Sequence, residues 1–236
     1  MRNHLFNTPC EECPARLISV FCNIDKQSVE LLEAGRNTEF YKAGTTIFHE
    51  GAHPAGLYII QKGKVKIFKN AGQKREQIVR LIKKGDIFGY RSLIGNENYS
   101  ASAAALEDTH VCFIPYTIFT HLMKSNPSVY GNVIQLLTYS LKLAETRIKN
   151  IAQKNLRSRL AESIILLYSM FASENEKYVI DIKLSRDELA SFVGTATVCV
   201  IRILTNFREE GILEFQDKKI KILKYESLFM IAQIFD

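Results

Sequence analysis

SRDELASFVGTATVCVIRILTNF, residues 185–207, carries the marks of two short helices joined by a tight turn. Ser185 and Glu188 have the spacing of a capping box, in which each side chain satisfies the other residue's free backbone N–H. Leu189 and Val193 lie one helical turn apart and give the first helix an apolar face. Ala190 is small where a second helix must cross closely, and Gly194 permits the turn between them. Thr195 is placed to cap the next helix, and Val200, Ile203, Leu204 and Phe207 supply its buried face. A small residue, four positions to a glycine and six more to a β-branched residue is helix-turn-helix spacing. The bland alternative is a helical hairpin with no nucleic-acid role.

Just downstream, GILEFQDKKIKILK reads as a β-hairpin with its turn at QDK, because Ile220 and Ile222 alternate with Lys219 and Lys221. A hairpin after a helix-turn-helix makes the motif winged. Such a motif lays its second helix in the major groove. The outward positions there are Thr197, Val198, Ile201 and Arg202, with Thr195 at its start. Arg202 is the expected base reader, since arginine can make two bonds to guanine. Arg186, Lys218 and Lys219 are candidate phosphate contacts, which position rather than specify.

Upstream, Ile134, Leu137, Leu141, Ala144, Ile148 and Ile151 recur at steps of three and four, a heptad seam. Lys142, Glu145, Arg147 and Lys149 flank it. The expectation is a long helix that pairs with a second copy. The alternative is a helix packed on its own domain. Earlier still, between about residues 39 and 116, short β-branched and aromatic runs are punctuated by Gly44, Gly51, Gly63, Gly72, Gly85 and Gly89. Val65 and Ile67 alternate with Lys64 and Lys66 as in a half-buried strand. Many short strands at this spacing predict a small β-roll or barrel.

The bulk properties fit this plan. The chain has 236 residues, 47% apolar and 24% charged, in the range of globular proteins. No run reaches the ~18 apolar residues of a membrane span. The start MRNHLFNTPC has no signal-peptide core, so a cytoplasmic address is expected. The net charge is +6, yet residues 156–236 hold eleven Lys/Arg against twelve Asp/Glu. A nucleic-acid contact there must therefore come from local arrangement. No phosphate loop, paired carboxylates or nucleophile elbow supports an enzyme.

A β-roll, a pairing helix and a winged helix-turn-helix, in this order, resemble the CRP/FNR family of bacterial transcription regulators. KAGTTIFHEG, LYIIQKGKVKI, KKGDIFG and residues 185–207 carry the likeness, which spans nearly the whole chain. The resemblance implies an α+β chain in four parts. These are a cysteine-bearing segment at 1–22, a cyclic-nucleotide-binding-type β-roll (a jelly roll) at 23–122, a dimerisation helix at 123–155 and a winged helix-turn-helix at 156–236. It also implies a homodimer on a palindromic operator in double-stranded DNA, an effector in the roll and contact with RNA polymerase.

Two departures from the family pattern stand out. Cyclic-AMP-binding members hold the ribose with a Gly-Glu pair and the phosphate with an Arg-Ser pair; here Gly89-Tyr90 and Tyr99-Ser100 occupy those places. Without carboxylate and arginine, cyclic-AMP binding is not expected. An effector pocket would use Gly89, Tyr90, Tyr99, Ser100 and Arg91, the last either a substitute cation or a solvated loop residue. On the recognition helix, Val198 stands where the family commonly has glutamate, so the familiar operator is not expected to carry over.

Five cysteines suggest metal, redox chemistry or burial rather than disulfides. In the FNR branch, three N-terminal cysteines and one on a late roll strand hold a [4Fe–4S] cluster that senses oxygen or nitric oxide. Cys10, Cys13, Cys22 and Cys112 match that set, although eight residues separate Cys13 from Cys22 where FNR has five. Zinc, or packed core thiols, are the alternatives. Cys199 is read as structural, and the five histidines show no ligand spacing. The competing function is a non-DNA-binding regulatory module whose roll binds a small ligand.

Overall fold

The computed structural model describes residues 8–70, 72, 76–216 and 219–234. They fall into two compact units, Met1–Asn70 with Val79–Leu141, and Ala71–Ile78 with Lys142–Asp236.

The first unit begins with α1 (Pro14–Leu17) and α2 (Lys26–Gly35). Pro14 sits in the first turn of α1, where its missing N–H costs nothing. Asp25 caps α2 by accepting from the Ser28 N–H at 2.8 Å. Eight strands follow: β1 (Asn37–Tyr41), β2 (Thr46–Phe48), β3 (Gly56–Lys62), β4 (Val65–Asn70), β5 (Glu76–Ile82), β6 (Ile87–Phe88), β7 (Ser102–Ala105) and β8 (Thr109–Pro115). A short α3 (Tyr90–Gly95) lies between β6 and β7. They form two four-stranded sheets, β1-β8-β3-β6 and β2-β7-β4-β5. This is the expected roll. The β3–β4 corner needs its glycine: Gly63 has φ +100°, and a Cβ there would lie 2.4 Å from Thr109 Oγ1.

Period-two alternation sorts the β3 and β8 side chains onto two faces. Ile60 and Val111 pack inside the roll with Val65, Ile82, Phe88 and Ala103. Leu57, Ile59, Cys112 and Ile114 face the other way, onto a second core with Phe21, Leu32, Phe119 and Leu122. That second core includes Val129 and Val133 from the start of the long helix. Phe21 and Phe119 meet edge to face, centroids 6.5 Å apart, at the centre of this layer.

Two helices close the unit, α4 (Tyr116–Ser125) and α5 (Pro127–Gln153). The break at Asn126 is fixed by its buried side-chain amide, which donates to Ser28 Oγ at 2.9 Å. The 27 residues of α5 make it about 40 Å long.

The second unit contains the end of α5, then α6 (Leu156–Phe171), β9 (Val179–Ile180), α7 (Arg186–Val193), α8 (Thr197–Glu209), β10 (Leu213–Gln216), β11 (Lys219–Ile222) and α9 (Tyr225–Ala232). Asn155 caps α6 through the Ser158 N–H at 2.9 Å. The hairpin β10-β11 pairs antiparallel as expected, and β9 joins its outer edge. Strand β9 is only two residues long, and Tyr178 just before it takes a left-handed φ of 63°. No single helix among the described residues is long and apolar enough to cross a membrane.

Candidate nucleic-acid interface and the cysteine cavity

The capping box at the start of α7 is complete: Ser185 Oγ accepts from the Glu188 N–H at 3.1 Å, and the Ser185 N–H donates to Glu188 Oε2 at 2.9 Å. Gly194 adopts φ +80°, and the N–H groups of Gly194 and Thr195 both donate to the Ala190 carbonyl. The axes of α7 and α8 bend by 101° across this turn, inside the range of roughly 90–120° for a helix-turn-helix. Thr195 does not cap α8. The N-cap is Ala196, without a side-chain bond, because the Gly194-Thr195 turn is already closed on Ala190. Thr197 secures the helix start instead, its hydroxyl donating to Asp187 Oδ1 at 2.6 Å.

Val200, Ile203, Leu204 and Phe207 are buried, as their spacing requires. Val198 is 76% exposed, Ile201 is 47% exposed, and Arg202 lies beside them in solvent. Three of the side chains expected to face a groove are therefore exposed, and Thr197 is half-buried. The expected phosphate contacts are less free. The Arg186 guanidinium lies over the Phe215 ring, 4.3 Å from its centroid, tying α7 to the hairpin, and burial lowers its pKa. Lys219 Nζ pairs with Asp181 Oδ1 at 2.5 Å. Lys218 lies outside the described residues.

Along α5, Val129 and Val133 are fully buried, and Leu137 packs against the same core. Beyond it the seam faces solvent: Leu141 is 60%, Ile148 69% and Ile151 53% exposed, with Ile134 and Ala144 on the open side as well. Arg147 leaves the flanking charges and turns onto Phe192, its guanidinium 5.6 Å from the ring centroid.

Of the effector-pocket residues only Gly89 and Tyr99 meet: a Cβ on Gly89 would lie 3.5 Å from the Tyr99 ring. Tyr90 is fully buried in the helix-side core. Tyr99 belongs to the roll, stacked on Phe48 at 3.8 Å and 12°, with its hydroxyl donating to the Gly56 carbonyl at 3.3 Å. Phe88 and Tyr58 continue the stack at 5.0 Å. Arg91 and Ser100 are exposed, and Gly89 at φ +83° serves the turn into α3.

The cysteines separate into three and one. Cys10, Cys13 and Cys112 line a cavity of about 10 Å³, room for a single water, with Arg16, Arg36 and Gln61. Cys112 reaches it because β8 points residue 112 to the helix side and its neighbours inward. Cys22 does not line the cavity. Its sulfur accepts from Asn132 Nδ2 on α5 at 3.8 Å. No group of three or more His, Cys, Asp or Glu side chains among the described residues is disposed to hold a metal ion. The four expected ligands thus do not all meet: the Cys22 carbonyl accepts from the same Arg16 at 3.4 Å, but its sulfur lies on the α5 side.

Two arginines beside these thiols went unread in the sequence. Arg16 is buried and donates to the carbonyls of Cys10, Phe21 and Glu11, clamping the loop that carries the C-x-x-C pair. Arg36 pairs with Glu33 at 2.7 Å, and Glu33 in turn accepts from the Cys10 N–H. The only sequence signal was Arg16 at three residues past Cys13, on a helix too short to show periodicity. Burial pushes the Cys10 thiol up to about 12, with Glu33 adding to it, and burial pushes Cys112 up to about 11. Both are neutral thiols near pH 7 and poor nucleophiles. Brief iodoacetamide treatment of the native protein should thus modify Cys22 and Cys199, both half-buried, and spare Cys10, Cys13 and Cys112. Peptide mass spectrometry reads the pattern; protection of all four N-terminal-set cysteines alongside four bound irons would contradict the three-and-one arrangement.

A β-roll joined to a winged helix-turn-helix with an open, arginine-bearing second helix defines a DNA-binding transcription regulator. Residues 38–126 match the cyclic nucleotide-binding domain family and residues 158–230 the Crp-like helix-turn-helix domain family. The chain belongs to the CRP/FNR family of transcription regulators. It is 25% identical over 228 residues to the fumarate and nitrate reduction regulatory protein of Vibrio cholerae, covering 95% of this chain and 90% of that protein. It is 26% identical over 213 residues to the cyclic AMP receptor protein of Thermus thermophilus, covering 90% and 96%. Among solved structures, a CRP/FNR family regulator of Thermus thermophilus superposes with TM-score 0.70 at 26% identity, covering 84% and 99%. FixK2 of Bradyrhizobium japonicum shares the fold with TM-score 0.77 at 20% identity, covering 85% and 99%.

Proposed function

We propose that this regulator acts as a cytoplasmic homodimer that reads a palindromic operator, with α8 of each copy in a major groove and Arg202 as its principal base contact. The observation that carries the reading is the outward face of α8, where Arg202 stands exposed between apolar neighbours on a helix held at 101° to α7. The exposed heptad seam beyond Leu137 supports pairing through α5, since isolated apolar side chains in that register bury themselves in a second helix. The sensory element we assign to the roll unit is the cavity of Cys10, Cys13 and Cys112 beneath the Arg16 clamp, in place of a nucleotide pocket. The packed tyrosines and the missing glutamate and arginine argue against cyclic AMP. The relatives named for fumarate and nitrate reduction make an iron–sulfur signal the natural comparison, and Cys10, Cys13 and Cys112 are the thiols that line one cavity. Contact with RNA polymerase is assigned by kinship alone.

The test is retention of the protein's own upstream DNA in a mobility-shift assay over a salt series. Specific retention, with log K falling linearly in log salt, is expected. No retention of any duplex even at the lowest salt would favour the non-DNA-binding alternative, and equal affinity for unrelated DNA at every salt concentration would overturn sequence-specific reading.

A further inference from the structure

The face of α8 that points away from its unit carries Val198, Ile201, Arg202 and Thr205, one helical stripe. Its chemistry is lopsided. The Thr197 hydroxyl proton is committed to Asp187 Oδ1 at 2.6 Å. That of Thr205 goes to the Ile201 carbonyl at 3.0 Å. Arg202 makes no hydrogen bond or ion pair among the described residues and is the stripe's available donor. The remaining surface is branched hydrocarbon, with Val198 at 76% and Ile201 at 47% exposure.

In the major groove the one apolar feature on a base edge is the C5-methyl group of thymine. A valine or isoleucine set against cytosine would desolvate the N4 donor without replacing its bond, a cost the thymine methyl does not incur. Resting on the operator-reading role proposed above, we infer that Val198 and Ile201 make this regulator thymine-selective, recognising the C5-methyl groups of the half-site while Arg202 fixes the register on a nearby guanine. Val198 and Arg202 are one turn apart, about 6 Å along the helix, which corresponds to about two base-pair steps. The half-site therefore pairs a guanine with thymine within about two positions. A glutamate at residue 198 would impose the opposite choice, because a carboxylate accepts from cytosine N4.

The experiment uses the full-length protein. A randomised duplex pool is selected for binding, and the enriched site is resynthesised with deoxyuridine at each thymine in turn, which deletes only the methyl group. Loss of one buried methyl corresponds to about fourfold in affinity per half-site, from ~0.8 kcal/mol per buried carbon. The expected result is such a loss at one or two thymines near the guanine, abolished in Val198→Ala or Ile201→Ala. Val198→Glu should move the preferred base at its position to cytosine. Residue 198 is mostly in solvent, so these variants keep the fold. Equal binding of thymine and uracil sites by the unaltered protein overturns the inference and leaves the operator reading intact. So does a uracil penalty that persists in both alanine variants. A pool that yields no enriched site overturns the operator reading and this inference with it.

Discussion

Arg202→Ala is expected to weaken specific operator binding by ~1–3 kcal/mol, roughly five- to 150-fold, and to relax selectivity at one base position. The size follows from what the residue offers: a planar fork of donors that matches guanine O6 and N7 in pairs. Nothing else described on this stripe compensates, because Val198 and Ile201 carry no donors and the nearby threonine hydroxyls are committed to Asp187 and the Ile201 carbonyl. Arg202→Lys keeps the charge and loses the fork, so it should retain affinity for nonspecific DNA while losing most of the discrimination. Melting temperature should hold in both variants, since residue 202 is exposed and outside the core. Titration of the selected operator and of a site mutated at the guanine measures the effect. Unchanged specific affinity in Arg202→Ala would place the reading register elsewhere on α8.

Leu141→Asp combined with Ile148→Asp should convert the protein to a monomer and lower operator affinity by two orders of magnitude or more. Both side chains are largely exposed in the single chain, at 60% and 69%, so the substitutions remove seam surface rather than core. Placing like charges along a two-helix seam forfeits that burial and adds repulsion. Loss of the second reading head then removes the avidity of two linked half-sites, worth about 10²–10⁴ in affinity. The roll should stay folded because Val129 and Val133, which anchor α5 to it, are untouched. Sedimentation equilibrium and operator titration read the two consequences separately. A dimer that survives both substitutions would mean that some surface other than the seam holds it together.

The two variants also probe different kinds of legibility. Residues 185–207 could be read locally, because a capping box, a left-handed glycine and an apolar stripe act within one or two turns of the chain. Ser185, Glu188, Gly194 and the buried face of α8 accordingly stand where their spacing placed them. Thr195 was misplaced by one position: a threonine near a helix start suggests a cap, but the cap belongs to whichever residue the turn leaves at the boundary. The strands of the roll were legible through alternation and corner glycines. The layer of α1, α2 and α4 behind them was not, because its apolar residues make sense only once β3 and β8 show a second face.

Charge and ligand roles depended most on packing. Arg186 and Lys219 are basic residues near a wing, and only the fold reveals that Phe215 and Asp181 engage them. Tyr90 and Tyr99 sit close in sequence to a family ligand pocket, yet they turn to opposite sides of a sheet and fill space with their rings.

The amino-acid sequence by itself determined the order of the parts, the helix-turn-helix with its buried and outward faces, and the apolar spacing along α5, since each is written in side chains a few positions apart. The tertiary structure alone decided which thiols meet. Cys10 and Cys112 are neighbours because strand alternation turns Cys112 toward the helices and Arg16 folds the C-x-x-C loop back over it. Cys22, closer in sequence, is carried past α1 to Asn132 on α5. Proximity in the chain governs local hydrogen bonds, whereas proximity in space follows the face on which each side chain is buried.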